Sequence, residues 1–315
     1  MISEKKYYNF LYKNFLVKNK EQWEKANLWC ENHTFCKMDE ETEKLLALLN
    51  GIEKKYEFNL QRMCRNNFEL LSLYQIEFLG QIERRQRNIG LKFLIACCLA
   101  DKILDSKRFR TEEQQKIINL LTMVKKRKET SFFELGELLE EIDYYIEKYE
   151  NAKLKKKIIK LISDAFTSER YMWGYLLLEK EAFNQKEIGL LTDKSVKFEK
   201  AALLLSLKEE MSEAAIEAAD LIGKISWLTD DLCDFISDIR EQRKNSLLYF
   251  ELPDEEMNLE YRAEMALEHM SNHIRRLEEY LKKLEIIAPG DLYFYILNMV
   301  KRWLVDIEDY EKRNK

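Results

Sequence analysis

Six aspartates carry the chemistry that this sequence offers. Asp101 and Asp105 stand four residues apart in LADKILDSKRF, and Asp230, Asp231, Asp234 and Asp238 crowd into WLTDDLCDFISDIREQRKNSLL. On a helix the first two share a face, one turn apart. In the second group, Asp230, Asp234 and Asp238 follow at i, i+4 and i+8, where like charges repel one another, and Asp is in any case a poor interior helix former. A cation held between them would turn that repulsion into attraction; a solvated acidic face is the other reading. Carboxylates select hard cations such as Mg²⁺, which keeps several waters and commonly bridges to phosphate oxygens. A polyanionic diphosphate is the ligand that such a bridge suits.

The residues preceding each group sharpen the expectation. At 100° per residue, the four aspartates and Glu241 project onto an arc of about 100°. The arc lies opposite Leu221, Ile225, Leu228, Leu232 and Ile239, and one turn earlier it is continued by Trp227 and Gly223. The stripe thus passes from apolar to acidic along one helix. The stretch 87–109, RNIGLKFLIACCLADKILDSKRF, is apolar nearly all round as far as Ala100 except for Lys92, which predicts a centrally buried helix. Leu94, Cys97 and Cys98 fall within about 40° to 60° of Asp101. Two helices of this kind, facing one another in a bundle, would frame a pocket with an apolar floor and an acidic mouth.

The remaining sequence predicts the elements that hold these residues. Only 8 Gly and 2 Pro punctuate 315 residues in which 46% are hydrophobic, a composition for an all-α chain. Periodicity near 3.6 residues recurs throughout, and no period-2 strand stands out. The expected fold is a single-domain bundle of about a dozen helices. Joints are expected at Asn50–Gly51, after Asp105, at 126–131, at Thr192–Asp193 and at 252–256; Thr111 with Gln114 reads as a capping box. A formal charge of −5 argues against a nucleic-acid partner. The longest apolar run, FLIACCLA, is too short to span a bilayer. The polar opening MISEKKYYNF lacks a secretory h-region, and six scattered cysteines then point to free thiols in the cytoplasm. Cys30, His33 and Cys36 have no second pair to complete a zinc site.

LADKILDSKRF resembles the first aspartate-rich motif of class I isoprenoid synthases, and DLIGKISWLTDDLCDFISDIREQRKNSLL resembles the second. Prenyltransferases of that superfamily read DDxxD at both places, terpene cyclases read (N/D)DxxSxxxE at the second, and squalene and phytoene synthases read DxxxD. Here DKILD keeps the outer aspartates with Lys102 in place of the second, while DDLCDFISD satisfies DDxxD and also the cyclase ligand spacing. The first aspartates of the two motifs, Asp101 and Asp230, stand 129 residues apart (230 minus 101), as in the family. KFEKAALLLSLKEEMSEAAIEAADLIGK at 197–224 is similar to the prenyltransferase stretch with a diphosphate-contacting lysine, here Lys200, and RKNSLL is similar to the basic segment that follows the second motif.

The resemblance is to the atypical bacterial-type terpene synthases, and it implies the isoprenoid synthase fold, an all-α bundle around a central active-site cavity, with residues 1–80 as divergent N-terminal helices. It further implies that Asp101, Asp105, Asp230, Asp231, Asp234 and Asp238 hold about three Mg²⁺ around a prenyl diphosphate. Lys200, Arg243 and Lys244 would contact the diphosphate, and Leu94, Cys97, Cys98 and Trp227 would line the cavity. The implied reaction is metal-dependent ionisation of the prenyl diphosphate to a carbocation, with release of diphosphate and formation of a terpene. A homodimer is common in that family. A prenyltransferase joining prenyl diphosphates is the alternative activity, although no GGKRxRP-like run for a second substrate is present. A non-catalytic helical module that keeps the fold is the alternative outside enzymes.

Overall fold

A computed structural model of the chain describes residues 4–56, 60–80, 84–105, 111–122, 133–173, 185–207, 211–241, 245–248 and 259–313. These form twelve α-helices and, among the described residues, no β-strand. In order they are α1 (Glu4–Leu11), α2 (Lys20–Asn32), α3 (Glu40–Tyr56), α4 (Gln61–Leu79), α5 (Arg84–Asp105), α6 (Thr111–Thr122), α7 (Phe133–Glu147), α8 (Ala152–Trp173), α9 (Gln185–Ser206), α10 (Glu213–Glu241), α11 (Leu259–Ile287) and α12 (Asp291–Arg313). A π-helical segment, Tyr12–Val17, continues α1, and a 3-10 turn, Ser246–Leu248, follows α10. The all-α expectation is met.

Local chemistry explains where several helices start and stop. The Asp39 carboxylate accepts the Thr42 backbone N–H at 2.8 Å, Asn151 accepts from Leu154 at 3.1 Å and Ser212 accepts from Ala215 at 3.1 Å. Each caps a helix N-terminus that would otherwise leave donors unmet. Glu40, Glu41 and Glu43 in the first turn of α3, with Lys54 and Lys55 in its last, follow the helix dipole. α4 stops at Gly80, whose φ of 68° is left-handed and whose N–H returns to the Ile76 carbonyl at 3.1 Å.

Two expected boundaries differ from the structure. α3 runs unbroken through Asn50 and Gly51, because burial of Leu46, Leu49 and Ile52 outweighs the cost of about 1 kcal/mol for a helical glycine. α9 likewise runs through Thr192 and Asp193, with the Thr192 hydroxyl donating to the Gly189 carbonyl at 3.0 Å. Gln114 donates its side-chain amide to the Leu104 carbonyl at 2.8 Å, which ties the start of α6 to the end of α5. The expected joints at 126–131 and 252–256 lie outside the described residues.

The helices gather into two compact units, each assembled from separate stretches of chain: residues 1–33, 171–196 and 220–315 in one, and residues 34–170 and 197–219 in the other. In the second unit α5 is the central helix, packed against α4, α6 and α7. Leu91, Phe93, Ile95, Ala96, Leu99 and Ile103 are all buried along it, as its all-round apolar sequence requires. The Tyr74 hydroxyl donates to the Ala215 carbonyl at 2.6 Å, fastening α4 to the first turn of α10. A Cβ at Gly90 would stand 2.5 Å from the Ala202 carbonyl oxygen and 3.3 Å from Ser206 Cβ, so α5 and α9 meet backbone to backbone. Gly90→Ala is therefore expected to lower stability by about 1–3 kcal/mol, read as a fall in melting temperature. Gly51→Ala, with no atom within 4 Å of its new methyl, should raise it slightly.

In the first unit α2 packs along α12. The Trp29 indole N–H donates to Asp291 at 2.7 Å, and Trp29 stacks on His33 with ring centroids 4.2 Å apart. Gly223 of α10 presses against Val196 of α9, where a Cβ would lie 2.8 Å from the Val196 carbonyl oxygen. All six cysteines are among the described residues, and no disulfide joins them.

Candidate functional site

The two acidic motifs belong to different units: Asp101 and Asp105 to the second, and Asp230, Asp231, Asp234 and Asp238 to the first. The last turn of α5 brings Asp101 to a half-buried position next to exposed Lys102, while Ile103 and Leu104 return to the core. Leu94 is buried and Cys97 and Cys98 are partly so. The Cys97 thiol is pushed well above its ordinary range, by burial first and then by the negative fields of Cys98, Glu169, Asp101 and Glu199. The residues assigned to one side of α5 therefore share an environment, and two glutamates that sequence reading passed over join it.

Glu169 comes from α8 and is buried. Glu199 comes from α9, and its Oε1 is buried without a hydrogen-bond partner. Burial pushes the Glu199 carboxyl up to about 7, because a charge withdrawn from water costs more than a proton gained. Phe93, Phe166 and Phe198 meet in the same unit at centroid separations of 5.4 to 6.2 Å. They bind α5, α8 and α9 together close in sequence to Cys97, Glu169 and Glu199. Nothing in the sequence marks these glutamates: Glu169 stands in TSERY and Glu199 in VKFEKAA, each beside charged residues. Lys200 follows Glu199 and is half-buried.

In the first unit, α10 runs without a break from a buried apolar half into the acidic motif. Leu221, Ile222, Ile225 and Leu228 are buried, and Asp230 and Asp234 then emerge exposed, one turn apart. The four aspartates divide into two pairs instead of forming one acidic stripe. Asp231 and Asp238 turn inward, and Asp238 is 7% exposed. One Asp231 carboxylate oxygen, Oδ2, accepts the Trp227 indole N–H at 2.8 Å and the Ser246 backbone N–H at 3.2 Å, and it also accepts the Ser246 hydroxyl. Burial pushes the Asp231 carboxyl up to about 6, while these hydrogen bonds pull it down. Trp227, expected to line the cavity, is 8% exposed and also donates to Ser246 Oγ at 3.0 Å.

A further contact comes from residues 1–80. The Tyr7 hydroxyl of α1 donates to the Leu232 carbonyl at 2.5 Å, and its ring stacks on Phe235 with centroids 5.0 Å apart. Burial raises the phenol well above its usual range, helped by Cys233, Tyr8, Asp231 and Asp234. The N-terminal helix thus abuts the acidic end of α10. Nothing in the spacing of its residues marks that role. The Asp105 side chain, Arg108, Arg243 and Lys244 lie outside the described residues.

As a donor set for Mg²⁺, exposed Asp230 and Asp234 fit a hard cation that keeps several of its waters. Asp231 fits poorly, since one of its oxygens is already engaged by three donors. Among the described residues, no three or more His, Cys, Asp or Glu side chains are gathered in a group that could hold a metal ion. None of the described helices is long and apolar enough to cross a membrane. No protein-family model matches the chain, and no curated protein matches it either.

Proposed function

We propose that the chain is a class I terpene synthase, which ionises a prenyl diphosphate in the presence of Mg²⁺ and releases diphosphate. The observation that carries this reading is α10: a single helix whose apolar half is buried and whose next turn exposes Asp230 and Asp234, spelled in DDLCD. α5 supports it with the same transition, from a buried apolar wall to half-buried Asp101. The all-α fold agrees with it.

In this reading Asp230 and Asp234 are carboxylates that would hold Mg²⁺, and the first motif offers Asp101 and Asp105 as carboxylates of the same kind. When bound, Mg²⁺ neutralises the charge that develops on the departing diphosphate. Lys200 adds a charge-assisted hydrogen bond to the same group. The buried apolar residues of α10 that lead into the second motif would exclude water from the reactive hydrocarbon.

Incubation of the full chain with Mg²⁺ and single prenyl diphosphates from C10 to C25 should give hydrocarbon or alcohol products and free diphosphate, both lost on chelation. Turnover only with a second substrate would make the protein a prenyltransferase. Absence of turnover, together with absence of Mg²⁺-dependent binding of a diphosphate analogue by calorimetry, would leave a non-catalytic helical module.

A further inference from the structure

The clearest polar construction in the first unit is the attachment of the 3-10 turn to α10. Asn245 donates from Nδ2 to the Asp231 backbone carbonyl at 2.7 Å and to Asp238 Oδ2 at 3.0 Å. Its Oδ1 accepts the Leu247 backbone N–H at 3.0 Å. Ser246 binds Asp231 through both its backbone N–H and its hydroxyl, and the Trp227 indole reaches both partners. Leu247 and Leu248 are fully buried behind these contacts. Asp231 and Asp238 are seven residues apart, two helical turns, and so point the same way to within about 20°. Asp230 is set about 100° away from Asp231 around the helix.

We infer that Asp231 is a positioning residue and not a metal ligand. With Trp227, Asn245 and Ser246 it clamps the turn onto α10, and Asp230 and Asp234 are the pair that the second motif presents to a cation. The inference rests on the proposed function for its metal half, while the clamp itself stands on the hydrogen bonds. DDxxD spelling treats the two leading aspartates as equivalent; their surroundings do not. Asp230 meets solvent, whereas Asp231 Oδ2 meets an indole N–H, a peptide N–H and a hydroxyl. To ligate a metal through that oxygen, Asp231 would have to give up donors that are held within a buried, apolar-backed turn. An Asn at the same place keeps a carbonyl oxygen that can accept from Trp227 and Ser246, so charge and clamping can be separated.

The test uses the full chain with Mg²⁺ and inorganic pyrophosphate as probe, followed by calorimetry, and in parallel a thermal-melt cycle. Asp231→Asn should leave the Mg²⁺ requirement for pyrophosphate binding within about twofold of wild type. Asp230→Asn should raise it at least about tenfold, as loss of a ligand does. An equal rise for Asp231→Asn and Asp230→Asn would overturn the assignment. Asp231→Ala and Ser246→Ala should each lower the melting temperature, with the double variant no worse than the poorer single one, because both break the same contact. Additive losses would overturn the clamp. If wild type binds no pyrophosphate, the proposed function fails at its metal step, and the melt cycle still decides the clamp.

Discussion

Asp230→Asn is expected to abolish Mg²⁺-dependent diphosphate release, by about three orders of magnitude or more, while leaving the melting temperature unchanged. The two halves of that expectation have separate causes. Metal stabilisation of a departing anion is worth several kcal/mol, and each 1.36 kcal/mol is a factor of about ten in rate. Asp230 is exposed, and an isosteric change at such a surface position shifts stability by only about 0.5 kcal/mol or less. Asp101→Asn should cost comparable activity, with a larger effect on the fold because Asp101 is half-buried. Coupled measurement of released diphosphate, beside a melting curve for each variant, checks both. Activity that survives both substitutions would end the metal assignment.

Glu199→Gln is expected to stabilise the protein at pH 8 and to remove the loss of stability that wild type shows as pH rises above about 6.5. Burial lifts the folded-state Glu199 carboxyl from the ordinary 4.5 to about 7. A raised value means that the group favours folding when protonated. Its contribution is therefore complete below about pH 4.5 and is lost as pH rises through about 7. The gap is worth at most about 3 kcal/mol, and residual solvent contact brings the expectation to between about 1 and 3. His273 acts in the opposite direction: burial, Arg276 and His269 lower it from 6.5 to about 4. Its contribution is present above about pH 6.5 and is lost as pH falls toward 4. The two opposing slopes overlap between about pH 4.5 and 6.5, so wild type should be nearly flat there and Glu199→Gln should expose the acid-side loss from His273. Chemical denaturation across pH 4 to 9 would measure it; an unchanged profile in the variant would show that Glu199 is charged in the folded protein.

What could be read in the chain before its coordinates follows from how local each cause is. Helical class is local: breakers are few, and the burial of Leu91, Phe93 and Ile95 follows from an apolar run too uniform for a surface helix. The breaks expected at Gly51 and Thr192 fail because packing of the whole of α3 and α9 outweighs one unfavourable residue. In the acidic motif, residue types and spacing identify the carboxylates, whereas their division into an outward and an inward pair depends on Asn245 and Ser246. Helical projection places residues around a cylinder without saying which neighbours arrive. Glu169 and Glu199 were missed for the same reason, since burial of a glutamate is decided by the helices that close over it.

The hydrogen bond from Tyr7 to Leu232 joins residues 225 positions apart, which has a bearing on biosynthesis. At about 5–20 residues per second on the ribosome, the opening helix waits some tens of seconds before its acceptor has been translated. Through that interval Tyr7, fully sequestered in the finished protein, lacks the Leu232 carbonyl and the Phe235 ring that receive it. Docking of the opening helix is thereby a late event of synthesis, coupled to the arrival of the aspartate-bearing helix.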